Sequence, residues 1–337
     1  MAVVVTLTPN PSLDRTIEIP RLRRGEVLRA TSSRVDPGGK GVNVARALLA
    51  NGRAAVAVLP TGGAEGAQLS ALLADEGVDA VCVPIGGSVR ANVTVAEPDG
   101  TVTKLNEPGP VLTPQETEQL LVETVGSALR AGRGWVVGCG SLSPGMPSDL
   151  YASLVRRGHE QGLLVAVDSS GPPLLAALAA RPDLLKPNAE ELAELVGRAL
   201  PSLGAVVDAA RELLDRGVGA VLVSLGPNGA LLVGGDRAVH AQPPAIRVAS
   251  TVGAGDCALA GFLAARTGAS AADDETALAE AVTWGAAAAA LPGTRMPGPE
   301  DLSLLRPGVR TDRDPDWTRP LDDHAKEAPA WTSPSTT

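Results

Sequence analysis

The chain has 337 residues, which is long enough for one large α/β domain or two smaller domains with a buried core. Hydrophobic residues make up 44% and aromatic residues only 2%, so the core must consist mainly of Ala, Val and Leu. The net charge of −9 argues against nucleic acid as a partner, because phosphate backbones select basic surfaces. The three cysteines are too few and too dispersed for a disulfide framework or a zinc site. Neither a signal peptide nor an apolar run near the ~20 residues of a membrane span is apparent, so we expect a cytoplasmic protein without membrane contact.

The chain opens with a β-branched run at residues 3–7, which predicts a buried strand. Two prolines at positions 9 and 11 end this strand, and Asp14 follows in the predicted loop. A loop acid after a strand of an α/β sheet is either a ligand contact or an ordinary turn aspartate. Arg90, at the entry to a later predicted hairpin, is similarly either a phosphate ligand or a surface arginine.

A second, smaller sheet is predicted by segments that interrupt the main pattern. Residues 16–35 form short alternating stretches, and residues 89–110 predict a hairpin around an Asp-Gly turn. We therefore expect a β-sheet lid, with segments at about 15–35 and 88–110, inserted into a main domain that spans residues 1–308.

A glycine-rich helix entry, DPGGKGVNVARALLAN, lies between the two lid segments. Gly38, Gly39 and Gly41 allow the backbone to approach a ligand closely, Lys40 could neutralise a phosphate, and Asn43 could bind sugar hydroxyls. The segment is not a Walker A loop, because no Ser or Thr follows the lysine to bind magnesium. A plain glycine-rich helix entry is the equally weighted alternative.

From residue 112 onward, strands and helices alternate regularly, which predicts a parallel sheet covered on both faces. One strand ends at Asp168, and another, at residues 245–250, precedes the last motif. The tail at residues 309–337 is rich in Pro and charge, and we expect it to be disordered.

Two loops of this region could bind phosphate or magnesium. Ser224, Gly226 and Gly229 form a flexible turn suited to nucleotide phosphates, or a plain hairpin. Asn188 and Glu191 are three residues apart at a predicted helix start, where they could hold magnesium-bound water or merely complement the helix dipole.

The late motif STVGAGDCALAGF predicts a strand end, a tight turn and the start of a helix. Gly253 and Gly255 allow successive N–H groups to converge at the helix N-terminus, which creates an anion site. Asp256, in the first helical turn, could accept a proton from a hydroxyl that attacks a phosphoryl group, or it could interact with the helix end. The motif therefore indicates a kinase.

The same glycines also fit a dinucleotide fingerprint, with Gly253, Gly255 and Ala258 in G-x-G-x-x-A spacing and Asp273 about 20 residues on. Such a fingerprint belongs in a first βα unit, however, and this match lies late in the chain. Asp273 opens a predicted helix and does not end a strand. We therefore reject a dehydrogenase.

The motifs PGGKGVNVARAL, KPNAEEL and STVGAGDCALAG together resemble those of the ribokinase-like (PfkB) carbohydrate kinases, from Met1 to about Gly308. The segments TPNPSLDRT, KLNEPGP, GSLSPG and SLGPNG are similar to the 1-phosphofructokinase and tagatose-6-phosphate kinase branch of this family. The resemblance implies a three-layer α/β/α sandwich with a mostly parallel central sheet and a small β-sheet lid. It also implies Mg²⁺, ATP as phosphoryl donor, and a homodimer that forms through the lids.

The resemblance also implies roles for individual residues. The catalytic group comprises the base Asp256 and the anion hole Gly253, Ala254 and Gly255. The sugar-phosphate site comprises Asp14, Gly38, Gly39, Lys40, Asn43 and Arg90. The ATP site comprises Lys186, Asn188, Ser224, Gly226, Pro227, Gly229 and Thr251, with Gly253 and Gly255. Glu191 would hold magnesium through water.

These features predict ATP-dependent phosphorylation of fructose 1-phosphate to fructose 1,6-bisphosphate. The minor 6-phosphofructokinases carry Lys at the position of Val27 and Gly at that of Lys40, which favours this reaction over phosphorylation of a ketohexose 6-phosphate at C1. Cys257 replaces a Ser of many relatives and follows the base. A non-catalytic sugar-phosphate sensor and a kinase for an unphosphorylated sugar are the remaining alternatives.

Overall fold

The computed structural model describes residues 2–132, 134–267 and 272–321. The strands in chain order are β1 (Val4–Leu7), β2 (Ser12–Glu18), β3 (Ser32–Gly38), β4 (Ala55–Thr61), β5 (Asp79–Pro84), β6 (Arg90–Ala96), β7 (Val102–Asn106), β8 (Trp135–Cys139), β9 (Leu164–Asp168), β10 (Leu184–Leu185), β11 (Ala220–Ser224), β12 (Ala230–Gly234), β13 (Arg237–Gln242) and β14 (Arg310–Asp312). The helices are α1 (Lys40–Ala50), α2 (Gly63–Asp75), α3 (Pro114–Arg130), α4 (Leu150–Glu160), α5 (Gly171–Leu178), α6 (Ala189–Val196), α7 (Leu203–Asp215), α8 (Ala254–Arg266), α9 (Asp274–Ala289) and α10 (Pro299–Leu305). Within the described ranges, no helix combines the length and apolar character needed to cross a membrane.

Ten strands form the main sheet, in the order β14-β13-β12-β11-β10-β9-β8-β1-β4-β5. The strands from β11 to β5 in this order are parallel, whereas β12, β13 and β14 pair antiparallel. Val5 and Leu7 of β1 join one buried core and Val4 joins the other, because successive side chains of a strand point to opposite faces. Helices α3 to α7 cover the first face, and α1, α2, α8 and α9 cover the second. The predicted three-layer α/β/α sandwich with a mostly parallel sheet is confirmed.

Four strands form the small sheet, in the order β3-β2-β6-β7. Strand β2 pairs parallel with β6, so that Ser12 lies opposite Arg90 and Asp14 opposite Asn92. The sequence predicted Asp14 in a loop, and this placement is wrong. Pairing with β6 continues through Asp14 to Ser12, so the strand begins before the aspartate.

The chain crosses between the two sheets four times, after β1, β3, β5 and β7. Asn10 lies on the first crossing, Gly39 on the second, and Arg90 directly after the third. The guanidinium of Arg90 donates hydrogen bonds to the carbonyl oxygen of Asn10 at 3.1 Å and to that of Glu107, on the fourth crossing, at 3.0 Å. These bonds join three of the crossings on one side of the molecule.

Two predictions about the C-terminal third are wrong. Residues 245–250 form no strand; Pro243 and Pro244, which lack N–H groups, follow β13 directly, and the N–H groups of Ala249 and Ser250 donate to the carbonyl oxygen of Ala289. The sheet position beside β13 is occupied by β14 instead.

The second wrong prediction is that the chain is disordered from residue 309 onward. Residues 310–312 form β14, and the N–H groups of Leu203 and Gly204 donate to the carbonyl oxygens of Arg319 and Trp317. The Trp317 side chain packs against the core that α7 helps to form. Residues 322–337 lie outside the described residues.

Candidate active site

A cavity of about 550 Å³ opens where the carboxyl ends of the central strands meet the small sheet. The predicted site residues that line it are Asp14, Gly39, Lys40, Asn43, Arg90, Lys186, Asn188, Glu191, Ser224, Thr251, Gly253, Gly255 and Asp256. The predicted residues that do not line it, all of them within the described part of the chain, are Gly38, Gly226, Pro227, Gly229 and Ala254. The fold thus brings the separate sequence motifs to one pocket, as expected at this edge of a parallel sheet.

Asp256 lies buried in the first turn of α8, with 6% of its surface exposed. The helix N-cap is Gly253, in the left-handed region at φ 79°, and the Asp256 carboxylate instead accepts a hydrogen bond from Asn43 Nδ2 at 2.8 Å. Burial, together with the negative charge of Asp168, raises the pKa of Asp256 to about 6. The contact with Asn43 and the raised pKa therefore favour a proton acceptor over a helix-capping residue.

A buried ion triad lies beside Asp256. Asp168 ends β9 and is fully buried, and its two carboxylate oxygens lie 2.6 Å from Lys40 Nζ and 2.9 Å from Lys186 Nζ. Burial alone would raise the pKa of Asp168, but the two ammonium groups hold it below its ordinary value. Burial opposes the charge of Lys40, yet the attraction of Asp168 and Asp256 raises its pKa above the ordinary value. Lys40 therefore stays charged, and Asp168 holds both lysine side chains in place at the pocket.

Asp168 is one candidate functional residue that sequence reasoning missed. The available signal was an acid at the carboxyl end of a predicted core strand, the position where α/β sheets bind ligands. Its role depends on two lysines that are distant in sequence, and a single sequence does not reveal that they meet.

The N-terminus of α8 lies at one end of the cavity and is suited to bind an anion. Gly253 and Gly255 line it, and the first N–H groups of an α-helix have no acceptor within the helix. A Cβ atom added to Gly255 would lie 3.5 Å from Lys186 Nζ, so this ammonium group lies beside the glycine turn. Free amides, a helix dipole and a cation together favour bound phosphate.

The opposite end of the cavity contains polar atoms that find no hydrogen-bond partner among the described residues. These atoms are Thr8 Oγ1, Asn10 Oδ1, Arg90 Nε and Asn92 Oδ1; Asn43 Oδ1, beside Gly253 and Asp256, likewise has no partner among the described residues. A buried polar atom without a partner costs about 1–3 kcal/mol. All of these atoms except Arg90 Nε are oxygens that accept hydrogen bonds, so a ligand rich in hydroxyl groups would pair with them, and a phosphate would suit Arg90. Asp14 lies among them, and its Oδ1 accepts hydrogen bonds from Ser12 Oγ at 2.7 Å and Asn92 Nδ2 at 3.0 Å.

Three residues at this end, Thr8, Asn10 and Asn92, were also missed by sequence reasoning. Thr8 and Asn10 directly follow β1, so their strand-end position was a usable signal. Asn92 lies inside β6, and only its pairing with Asp14 brings it to the cavity.

Gly38 has an indirect place in the site. A Cβ atom at Gly38 would clash with the Asp14 carboxylate, so the glycine leaves room for that carboxylate. Gly226 and Gly229 both have positive φ; Gly226 begins a short 3₁₀ turn two residues after Ser224, and Gly229 ends it. They shape the turn next to the cavity but do not line it.

Asn188 and Glu191 form a reciprocal capping box at the start of α6. The N–H of Asn188 donates to Glu191 Oε2 at 2.9 Å, and the N–H of Glu191 donates to Asn188 Oδ1 at 2.8 Å. Both residues also line the cavity, and no described residue hydrogen-bonds to Glu191 Oε1. The pair therefore has a structural role and keeps one carboxylate oxygen available.

The described residues contain no group of three or more His, Cys, Asp and Glu side chains that could hold a metal by themselves. Mg²⁺ in phosphoryl-transfer sites is usually bound by one or two carboxylates, water and substrate phosphates. The available oxygen of Glu191 fits such a site, in which the nucleotide supplies most ligands.

Comparisons with known proteins agree with this geometry. Residues 8–301 match the model of the pfkB family of carbohydrate kinases. The chain is 42% identical to a 1-phosphofructokinase of Rhodobacter capsulatus over 304 residues, which cover 90% of this chain and 95% of the relative. It is 37% identical over 308 residues to the ATP-dependent 6-phosphofructokinase isozyme 2 of Escherichia coli (strain K12), covering 90% of this chain and 98% of the relative. The crystal structure of the Escherichia coli phosphofructokinase-2 in complex with potassium superposes with a TM-score of 0.84 at 35% identity, covering 91% of this chain and 99% of that one. A buried carboxylate at a helix N-terminus, a polar pocket under a small sheet, and these matches lead to one conclusion: the chain is a member of the pfkB family of carbohydrate kinases.

Proposed function

We propose that the protein transfers the γ-phosphate of ATP to fructose 1-phosphate and forms fructose 1,6-bisphosphate. The observation that carries the proposal is the buried Asp256 carboxylate between two ends of one cavity, an anion-binding helix terminus and a cluster of unpaired polar atoms. Identities of 32–42% to five 1-phosphofructokinases support the 1-phosphate as the acceptor.

Asp256 would accept the proton of the C6 hydroxyl as this oxygen attacks the γ-phosphate. Asn43, which donates to Asp256 Oδ2, would hold the carboxylate in the orientation that receives the proton. The N–H groups of residues 253–255 and the ammonium of Lys186 would stabilise the charge that develops on the transferred phosphoryl oxygens. The small sheet would exclude water, which otherwise competes as acceptor.

The sugar phosphate would bind under the small sheet. Arg90 and Lys40 would contact its phosphate, and Asp14, Asn43 and Gly39 would contact the sugar. Lys40 is 36% exposed at its side chain while its ammonium pairs with Asp168, so it is held at the cavity and still reaches solvent. The positive charges of Arg90 and Lys40 would favour a phosphorylated sugar over an unphosphorylated one.

ATP would bind along the turns after β10 and β11 and before α8, where Asn188, Ser224 and Thr251 line the cavity. Mg²⁺, when bound to the nucleotide phosphates, supplies positive charge that offsets the developing negative charge. Glu191 would hold this ion through water with its available Oε1. An ATP-dependent reaction of this kind suits a cytoplasmic location.

A homodimer through the small sheets is part of the proposal. Val27, Val102 and Leu105, on or next to the small sheet, are 91%, 51% and 61% exposed, and such apolar side chains favour burial against a second copy. Size-exclusion chromatography with light scattering tests this, and charged substitutions at Val102 and Leu105 should produce a monomer.

The deciding experiment compares kcat/KM for fructose 1-phosphate, fructose 6-phosphate and tagatose 6-phosphate under the same ATP and Mg²⁺ concentrations. We expect a clear lead for fructose 1-phosphate. A higher kcat/KM for either 6-phosphate would leave the mechanism unchanged but place the acceptor hydroxyl at C1. The identity to the 6-phosphofructokinase isozyme 2 makes this activity the second candidate. Sugar-phosphate binding without any ATP turnover would contradict catalysis and favour a sensor.

A further inference from the structure

A second cavity, of about 570 Å³, lies at the C-terminal half of α1 and shares no lining residue with the candidate active site. Its walls come from β3, the C-terminal half of α1, residue 76 and the loop between α9 and α10. It is thus as large as the catalytic cavity and lies where the small sheet joins the main domain.

Three arginines and two carboxylates line this cavity. Arg46 is buried and forms two hydrogen bonds with Glu76, from Nε at 2.6 Å and from Nη2 at 2.7 Å. Arg34 uses its Nε to bind Asp36 at 2.9 Å. Each carboxylate is therefore already neutralised by one arginine.

Arg295 is the third arginine, and its guanidinium has no hydrogen bond or ion pair with any described residue. The cavity thus retains one uncompensated positive charge, in a chain whose net charge is −9. Leu49, Ala50 and Met296 form an apolar wall beside it. A cation fork next to an apolar wall is suited to a small molecule with one anionic end.

We propose that this cavity binds the phosphate group of a small molecule, held by Arg295 and by the terminal nitrogens of Arg34. Arginine forks match phosphate oxygens in pairs, and Arg34 commits only its Nε to Asp36. An apolar part of the ligand would contact Leu49 and Met296. This site is separate from substrate binding, and its test does not depend on the identity of the sugar substrate.

Occupancy of the cavity is coupled to the sugar end of the active site. The Arg34 guanidinium packs against Gly293, and Arg46 Nη1 lies 3.3 Å from the carbonyl oxygen of Pro37 and 3.5 Å from that of Thr294. A phosphate that bridges Arg34 and Arg295 would therefore fix β3 to the loop after α9. Since β3 leads directly into Gly39 and Lys40, the ligand should change KM for the sugar more than KM for ATP.

The first experiment is a calorimetric titration with inorganic phosphate, supplied as the sodium salt and compared with sodium chloride at equal ionic strength. Three variants separate the sites: Arg295→Ala, the active-site variant Arg90→Ala, and Arg216→Ala, a control at an exposed arginine at the end of α7. We expect Arg295→Ala to weaken phosphate binding about tenfold or more, as for loss of a charge-assisted hydrogen bond, while Arg90→Ala and Arg216→Ala retain this binding event.

Phosphate titrations of Arg295→Ala that match those of Arg216→Ala would overturn the proposal, as would loss of all phosphate binding in Arg90→Ala alone. Thermal unfolding without phosphate checks that Arg295→Ala is folded. Phenyl phosphate then distinguishes the ligand sources: tighter binding than inorganic phosphate assigns the cavity to an organic phosphate, and equal binding assigns it to free phosphate.

Discussion

Replacement of Asp256 by Asn removes the proposed proton acceptor and keeps the size of the side chain. The amide oxygen of the new asparagine would still accept the hydrogen bond that Asn43 Nδ2 donates at 2.8 Å, so the pocket should keep its shape. Loss of general-base catalysis costs about 10²- to 10⁴-fold in rate. We expect kcat to fall by that factor while ATP binding is retained.

The same substitution should stabilise the folded protein at neutral pH. The pKa of Asp256 rises from 3.8 to about 6 on folding, so the folded state binds this proton more tightly than the unfolded chain does. Each pKa unit corresponds to about 1.4 kcal/mol, so ionised Asp256 destabilises the fold by about 3 kcal/mol. This destabilisation is absent below the unfolded pKa, grows as the pH rises, and is complete above the folded pKa. Asparagine carries no charge, so Asp256→Asn removes this destabilisation.

Steady-state kinetics and urea unfolding at pH 8 and pH 5 measure the two effects together. Asp273→Asn is the control of opposite sign, because Asp273 is an exposed N-cap of α9 whose pKa the Thr276 N–H lowers, so its ionised form stabilises the fold and its replacement should cost stability at pH 8. The stability gain of Asp256→Asn should be larger at pH 8 than at pH 5. A near-normal kcat in Asp256→Asn would show that Asp256 is not the general base. A loss of stability at pH 8 would show that the ionised Asp256 carboxylate does not destabilise the fold.

Three further predictions use the same pocket, and one uses the C-terminal segment. In the wild type, kcat/KM for the sugar should fall about tenfold per pH unit below about pH 6, as Asp256 becomes protonated; a flat profile from pH 5 to 8 would contradict this. Asp168→Asn removes a negative charge that raises the pKa of Asp256, so the acid limb of that profile should move to lower pH. An unchanged acid limb would show that Asp168 does not influence the pKa of Asp256. Arg90→Ala should raise KM for the sugar phosphate about tenfold or more and leave KM for ATP within about twofold, with Arg216→Ala unchanged in both. Deletion from residue 310 onward should lower the Tm by several degrees relative to deletion from residue 322, because it removes β14 and the packing of 310–321; equal Tm values would show that the segment contributes no stability.

The sequence predicted those parts of the molecule that local chemistry determines. The glycine turn before α8 and the glycine entry to α1 require special backbone geometry, and residues of both segments line one cavity. The three-layer sandwich followed from alternating strands and helices with apolar residues on both faces of the strands.

The features that the sequence did not reveal depend on contacts between distant segments. The Asp168 carboxylate acquires its role from Lys40 and Lys186, which reach it from two different helix entries. Asp14 was placed in a loop because its pairing partner, Asn92, is 78 residues away. The composition of residues 310–321 resembles that of a disordered tail, but backbone hydrogen bonds to β13 and α7 order it.

The four crossings between the two sheets have a consequence for how this family diversifies. The residues on or directly after the crossings, including Asn10, Gly39 and Arg90, also line the part of the cavity proposed to bind the sugar. No single continuous segment contains the small sheet. The small sheet therefore cannot be exchanged between relatives as one insert without also changing residues that line the cavity. Lid shape and sugar preference should therefore be inherited together, and a chimera that replaces only one lid segment should lose affinity for both parental sugars.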